Sequence, residues 1–198
     1  SPCIFHNTFA YKHSDGRVLY FATVNEPYAL VYDLAKVVSG ADPSTWLIGK
    51  VPNPTPFKQL GTGGYHDFYV GYDPGTHQDK FYGAGLGGYS VWDVSHPESP
   101  KEIFTITGLG LDIAHTFTPS PDGHYGVTET EYQYTPLRVW DLSEGQSGKT
   151  KNLDLPIGGW TADWRDLSHN HEVRWPYVFV SAYEDGMQVF DLKDPKNP

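Results

Sequence analysis

The sequence predicts an all-β protein and, within that class, a β-propeller with about four visible blades of four short antiparallel strands each. First, one unit occurs four times: a histidine on a strand, a second strand, a tight turn, and a third strand that closes on an aspartate. Second, aromatic residues make up 15% of the chain, with 21 glycines and 16 prolines, which suits short strands separated by many turns. Third, no segment shows sustained helical periodicity.

The repeats favour a propeller over the alternative, a β-sandwich. A sandwich also contains many short strands, but it gives no reason for one order of histidine, strand, turn, strand and aspartate to recur. Residues 81–94 align with residues 179–192 and with residues 21–34 without a gap, and the closing aspartates are 60, 48 and 50 residues apart. The sequence therefore indicates one propeller domain over residues 1–198.

The predicted blades can be taken in order along the chain. They span approximately residues 1–52, 62–107, 110–158 and 166–198. The predicted strands are a first strand around His6, then 17–24, 29–34, 45–51, 66–72, 80–85, 89–94, 101–106, 113–118, 125–131, 137–142, 152–157, a first strand around His171, 177–182, and a strand closing at residue 192. Residues 35–43 are an insertion whose one helical stretch, 35–39, is very short, and residues 158–166 are a link.

The fourth blade is incomplete. Residues 193–198 match residues 95–100, which precede an outer strand in the second blade. An open end would expose sheet surface and edges. The sequence therefore predicts part of a larger propeller of seven or eight blades, completed by the remainder of the same chain or by a protein partner. A closed four-bladed ring is the alternative.

The four closing aspartates are predicted to be structural. Each stands at a strand end before a turn, where its carboxylate can accept hydrogen bonds from the backbone N–H groups of that turn. They are Asp33, Asp93, Asp141 and Asp191.

These strand ends carry a resemblance to a known family. Residues 189–198 (VFDLKDPKNP) and 91–100 (VWDVSHPESP), with His-Glu-Val and His-Asp-Phe opening their copies at His171 and His66, resemble the LVIVD-repeat β-propellers. The first and third copies depart from the pattern, through the insertion at 35–43 and the loop at 143–151. The Trp-Asp pairs are also similar to WD40 blades, but the Gly-His start is missing. The resemblance implies a fold and an extracytoplasmic or surface setting, and no single activity.

The histidines of the repeat are the candidate metal ligands. They occupy the first, innermost strand of each predicted blade, so four imidazoles can converge on the central channel, where they suit Fe, Cu or Zn. They are His6, His66, His115 and His171. This arrangement resembles the metal-centred propellers of carotenoid oxygenases and selenium-binding proteins. The alternative is a structural role, with each imidazole locking neighbouring blades together.

Other polar residues surround this predicted ring. His169 shares a strand face with His171 if the chain is extended there, so it could add a ligand. Asp67, Glu172 and Asn7 are candidates to orient the ring nitrogens. Carboxylates near the third copy are Glu129, Glu131 and Asp112, and the histidines predicted to be solvated in turns are His13, His77, His96 and His124.

Composition restricts the partners. A net charge of −10 argues against nucleic acid or an anionic membrane as the main partner, since phosphate contacts need basic residues. No apolar run is long enough to span a bilayer directly. A single methionine and few lysines, against abundant Trp, Tyr and Gly, favour a secreted, periplasmic or cell-surface location.

Two functions are therefore open. One is a non-enzymatic protein-interaction or scaffold module that uses its blade faces and the loops at 45–64 and 132–136. The other is a metal-dependent oxidoreductase or hydrolase with the histidine cluster as its centre. No nucleophile elbow, dinucleotide fingerprint or phosphate-binding loop is present to suggest other chemistry.

Overall fold

A computed structural model describes residues 5–54, 64–108, 111, 113–131, 137–161 and 167–198. These residues form an all-β structure of four separate sheets, which follow one another in chain order. Within each sheet, consecutive strands pair antiparallel through short connections. The all-β class and the division into four units are as the sequence predicts.

The sheets are numbered 1 to 4 along the chain. Sheet 1 contains β1 (Thr8–Lys12), β2 (Val18–Thr23), β3 (Tyr28–Asp33) and β4 (Leu47–Pro52). Sheet 2 contains β5 (Tyr65–Asp73), β6 (Gln78–Gly85), β7 (Gly88–Asp93) and β8 (Lys101–Ile106). Sheet 3 contains β9 (Ala114–Pro119), β10 (Tyr125–Thr130), β11 (Leu137–Asp141) and, at its edge, β13 (Gly158–Trp160). Sheet 4 contains β14 (His171–Arg174), β15 (Tyr177–Ala182) and β16 (Gly186–Asp191).

Two short helices follow closing strands. They are α1 (Leu34–Val38) and α2 (Ser143–Gln146). The first lies in the predicted insertion, and the second was not predicted. None of the helices in the described part of the chain is long and apolar enough to cross a membrane.

The outer strand of sheet 3 differs from the prediction. Residues 152–157 were predicted to fill that place, but β12 (Asn152–Leu153) runs parallel to β8 and extends sheet 2 instead. The Asn152 side chain accepts hydrogen bonds from the backbone N–H of Thr107 (3.1 Å) and the hydroxyl of Thr105 (3.0 Å), which fixes it to that edge. The edge of sheet 3 is formed by β13, which lies in the predicted link.

The sequence alignment of the second and fourth units without a gap differs from the structure by one residue on the middle strands, β6 and β15. Tyr82 pairs with Val91 in sheet 2, and Phe179 pairs with Val189 in sheet 4. Phe179 is therefore equivalent to Tyr82 rather than to Phe81, because the hairpin loop is one residue longer in sheet 4. A one-residue shift moves a side chain to the opposite face of its sheet.

The core lies between consecutive sheets. Phe21 and Val31 of sheet 1 pack with Phe81 of sheet 2. On the other face of sheet 2, Tyr82 belongs to a cluster shared with sheet 3, and Val127, Val139 and Val178 join sheet 3 to sheet 4. Burying one such side chain stabilises the fold by about 1.5–3 kcal/mol. The first strands also lie side by side, since β5 contacts β1 and β9, and β9 contacts β14.

The paired-proline turns have a packing role. The carbonyl oxygen of Pro97 lies against Gly49 in the outer strand of sheet 1, where a Cβ would be only 1.9 Å from it. The carbonyl oxygen of Pro195 lies against Gly158 of sheet 3 in the same way, at 2.2 Å from such a Cβ. Each turn therefore docks on the edge strand of the preceding sheet, at a position that only glycine fits.

The closing aspartates accept hydrogen bonds from the turns that follow them. In each, Oδ1 accepts from the backbone N–H two residues further on, which stabilises the start of the connection. The N···O distances are 3.0 Å for Asp33, 2.9 Å for Asp93, 2.9 Å for Asp141 and 3.0 Å for Asp191.

Candidate metal centre

A row of four histidines lies at, or two residues before, the starts of the first strands of the sheets. Neighbouring ring centroids are 4.3 Å apart for His6 and His66, 4.1 Å for His66 and His115, and 4.4 Å for His115 and His169. Nε2 of His6 lies 2.8 Å from Nε2 of His66. Three of the four predicted ligands are therefore together, and the fourth place is taken by His169.

The two central histidines are the extra residues of β-bulges. Tyr65 and Asp67 pair with consecutive residues of β6, so His66 between them has no partner in the ladder. In sheet 3, Ala114 and Thr116 likewise pair with consecutive residues of β10, which leaves His115 unpaired. A bulge bends its strand and redirects a side chain. The two bulges on adjacent strands thus bring both imidazoles to one place.

His171 does not join this row. It pairs with Val180 in sheet 4, and its Nδ1 lies 3.2 Å from Oε1 of Glu129, with both side chains fully buried. The prediction assumed extended backbone from His169 to His171, which would put both rings on one face. Because β14 begins only at His171, the alternation does not extend to His169, and the two rings have different surroundings.

Glu131 supplies a carboxylate to the row. Its Oε2 lies 3.4 Å from Nε2 of His115 and its Oε1 lies 3.7 Å from Nε2 of His169, while the hydroxyl of Tyr183 donates a hydrogen bond to Oε1. Ligand atoms of His66, His115 and Glu131 all lie within 4.8 Å of one another. Tetrahedral ligands 2.0–2.2 Å from a zinc ion are roughly 3.4 Å apart, so a small inward movement of these side chains would enclose one ion.

Electrostatics keep the central imidazoles neutral. Burial lowers the pKa of His66, and the neighbouring His6 lowers it further. Burial, together with the nearby His66 and His169, lowers the pKa of His115 to about 3. Neutral imidazole carries a lone pair on one nitrogen, which is the form that binds a metal.

Ring nitrogens that lack a hydrogen bond also indicate a metal site. Among the described residues, neither Nδ1 of His66 nor Nε2 of His115 has a hydrogen-bond partner, although both are buried. Nδ1 of His115 lies 3.0 Å from the hydroxyl of Thr116. If that nitrogen carries the proton, Nε2 presents a lone pair to the Glu131 carboxylate, and a cation between these two acceptors would satisfy both.

Open space adjoins both ends of the row. A cavity of about 380 Å³ is lined by His6, His66 and Ile113 among others. Another of about 500 Å³ is lined by His169 and Tyr183. A small molecule could therefore approach the row from either end.

The residues that were predicted to orient the ring nitrogens of the histidines make other contacts instead. Asn7 donates to the backbone carbonyl of His66 (3.2 Å), and Asp67 accepts from Asn170 (2.9 Å). Glu172 pairs with Arg174 at the surface. Asp112 lies outside the described residues. The role of Tyr183 was missed, because nothing in the sequence around its turn marks a side chain that reaches Glu131.

One histidine predicted to be solvated is buried. Nε2 of His13 lies 3.1 Å from the carbonyl oxygen of Val94 and 3.3 Å from Oδ2 of Asp79. It therefore locks sheet 1 to sheet 2, the structural role that was the alternative for the histidine row. The other three turn histidines are exposed, as predicted: His77, His96 and His124.

Comparison with known proteins gives a fold likeness alone. No sequence model of a protein family matches the chain, and no curated protein matches it. The chain is similar to the crystal structure of the computationally designed Ika4 protein, with a TM-score of 0.57 and 11% identity, covering 96% of this chain and 92% of the other.

Proposed function

We propose that the chain binds one transition-metal ion through His66, His115 and Glu131, as the centre of a metal-dependent oxidoreductase or hydrolase. The supporting observation is that ligand atoms of these three residues lie within 4.8 Å of one another, while Nδ1 of His66 and Nε2 of His115 are buried without a hydrogen bond among the described residues. Two imidazoles and one carboxylate are ligands that suit zinc in hydrolases and non-haem iron in oxygenases. Copper is a further candidate, since imidazole also suits it.

The surroundings of the three ligands support catalysis rather than a purely structural ion. Three protein ligands leave at least one coordination position open for water or substrate. Zinc held by these residues would lower the pKa of a bound water to about 7, which would supply a nucleophile at neutral pH. His6 is exposed and His169 is partly exposed, and both lie next to the ligands where they could hold or transfer a proton.

We also propose the finer architecture predicted from the sequence, a β-propeller with the histidine row facing its channel. The stacking of four sheets in chain order and the adjacency of their first strands support it. Membership of the LVIVD-repeat family and an extracytoplasmic location stay predictions.

Elemental analysis of the purified protein tests the metal site. We expect close to one equivalent of Zn, Fe or Cu per chain, and loss of that metal in His115→Ala and Glu131→Gln. His124→Ala is the matched control, because His124 is exposed in a turn. Circular dichroism on each variant separates loss of metal from loss of fold. A folded wild-type chain that takes up no metal after incubation with Zn(II), Fe(II) and Cu(II) would refute the proposal.

A second candidate, the interaction or scaffold module, is favoured by exposed apolar side chains on sheet 4. Tyr177, Phe179, Met187 and Val189 are all exposed. The predicted contact loop at 132–136 lies outside the described residues, as do residues 55–63 of the loop at 45–64. Pull-down with the wild-type chain against a Val189→Glu variant tests this candidate, which fails if no protein is captured in a Val189-dependent way.

A further inference from the structure

A cavity of about 450 Å³ lies at the end of the first strands that is opposite the histidine row. It is lined by the later residues of β5 and β9, by β14, and by the turns that follow β9 and β14. Along β5, Tyr72 in this lining is six residues beyond His66, which corresponds to roughly 20 Å of extended strand. Small-molecule sites enclose about 300–1,000 Å³, so the cavity has the size of a binding site and is separate from the metal centre.

Aromatic side chains form much of the cavity wall. Tyr69 and Tyr72 belong to β5, and Trp175 belongs to the turn after β14. The ring of Tyr69 lies over Gly71, since a Cβ on that glycine would be 2.7 Å from the ring. The indole of Trp175 stacks in parallel on Tyr125, with 5.7 Å between centroids and 7° between planes. Both rings are therefore held in place before a ligand binds, which reduces the entropy lost on binding.

Two oppositely charged side chains line the cavity from β14. Glu172 and Arg174 are two residues apart on an extended strand, so they project from the same face. Nη1 of Arg174 lies 2.5 Å from Oε1 of Glu172. A guanidinium has five N–H donors and a carboxylate has two acceptor oxygens, so this one ion pair leaves both donors and acceptors for a ligand. Burial and the charge of Glu172 raise the pKa of Tyr69, so the phenol beside the pair stays protonated.

The charges in the cavity balance, which favours a neutral ligand. Glu172 and Arg174 neutralise each other, and Asp73, which also lines the cavity, is paired with the buried Lys80. A charged ligand would lose hydration without finding an unpaired counter-charge. Aromatic walls bind the apolar C–H surface of a ligand, whereas neighbouring donors and acceptors bind hydroxyl groups. A carbohydrate presents both, with C–H groups on the faces of its ring and hydroxyls around the edge.

We infer that this cavity binds a neutral mono- or disaccharide, with its ring against the aromatic wall and its hydroxyls hydrogen-bonded to Arg174 and Glu172. Adjacent hydroxyls on a sugar ring match the paired N–H groups of a guanidinium and the paired oxygens of a carboxylate. The inference does not rest on the proposed metal centre, because the cavity and the histidine row lie at opposite ends of the first strands.

Saturation-transfer difference NMR on the purified full chain is the test, with glucose, galactose, mannose, N-acetylglucosamine, cellobiose, maltose and lactose as probes at millimolar concentration. We expect at least one of these sugars to bind. Arg174→Gln and Tyr72→Ala should each weaken that binding about 10-fold, through loss of hydrogen bonds and of stacking respectively. Arg17→Gln and Tyr177→Ala are the matched controls, since Arg17 is a surface arginine paired with Glu98 and Tyr177 is an exposed tyrosine outside the lining.

Three outcomes would overturn the inference. They are no binding of any sugar in the panel, binding that Arg174→Gln and Tyr72→Ala leave unchanged, and binding of choline or phosphate in place of the sugars. Both substituted side chains are exposed, so the fold should persist, and circular dichroism verifies this. Treatment with EDTA should leave sugar binding unchanged, which keeps this result distinct from that for the metal site; loss of binding with EDTA would contradict the separation of the two sites.

Discussion

The buried ion pair between Lys80 and Asp73 joins β6 to β5 within sheet 2, next to α2, and breaking it should strongly destabilise the fold. Nζ of Lys80 lies 2.5 Å from Oδ2 of Asp73, with both side chains almost completely buried, and it also donates to the Gln146 side chain in α2. Asp73 additionally accepts from the backbone N–H of Gly75 (2.8 Å) and the hydroxyl of Thr76 (3.0 Å). Asp73→Asn retains the size of the side chain but leaves a buried ammonium group without its counter-ion.

Breaking such a pair from one side costs about 3–5 kcal/mol. With a urea m-value of about 2 kcal/mol/M, the unfolding midpoint of Asp73→Asn should fall by roughly 2 M. Lys80→Met should cost less, because the Asp73 carboxylate keeps its hydrogen bonds within the turn. The double variant Asp73→Asn/Lys80→Met should be more stable than the sum of the single effects predicts, since it leaves no unpaired buried charge. Additive effects, or a loss below about 1 kcal/mol for Asp73→Asn, would refute this reasoning.

The same pair predicts an acid dependence. Burial alone would raise the pKa of Asp73, but the hydrogen bond and the positive charge of Lys80 outweigh it and lower that pKa. Because the pKa is lower in the folded than in the unfolded state, the stabilisation is complete above the unfolded value, near 4, and is lost as the pH falls through the folded value. Urea midpoints at pH 7 and pH 3 should therefore differ more for the wild type than for Lys80→Met.

Three further outcomes follow from particular contacts. Tyr183→Phe removes the hydrogen bond to Glu131 and should weaken metal binding about 10-fold, measured by competition with a chromophoric chelator, while Tyr72→Phe, also at the surface, should change nothing. Gly49→Ala places a Cβ against the carbonyl of Pro97 and should destabilise the fold by about 1–3 kcal/mol in urea; an unchanged midpoint would contradict the docking described for the paired-proline turn. His13→Leu removes the lock between sheets 1 and 2 and should lower the unfolding midpoint without altering metal content, an outcome that elemental analysis can contradict.

Features set by local chemistry could be predicted from the sequence. The recurrence of a closing aspartate gave the four sheets, because strand ends and the turns after them depend on neighbouring residues. Features that depend on the number of residues between strands could not be predicted from the sequence. The shift between Phe81 and Phe179 arises from one additional residue in a hairpin loop, and no residue type in that loop signals it.

The sequence predicted the residue types of the candidate site, but not exactly which residues form it. His6, His66 and His115 were identified by their place in the repeat, and Glu131 and His169 as possible additions. The fourth histidine of the row is His169 instead of the predicted His171. The alternation of side chains along a strand begins only where β14 begins, at His171, so it does not relate the two rings. Sequence position placed His13 in a turn and predicted it to be solvated, and only the contacts reveal that it is buried with partners for both ring nitrogens.

The two β-bulges are the strongest evidence that the histidine row does more than hold neighbouring sheets together. A bulge leaves one residue without ladder hydrogen bonds, and such features are frequent beside active sites, where they redirect a side chain. His13 locks two sheets with its ring nitrogens hydrogen-bonded or ion-paired. His66 and His115, in contrast, sit on bulges of neighbouring strands, have pKa values lowered by burial, and each keep one buried ring nitrogen without a hydrogen bond among the described residues. His66 and His115 thus lack both regular strand pairing and a hydrogen bond to one buried nitrogen. Such a combination is expected where a protein gives up local stability in order to bind a ligand.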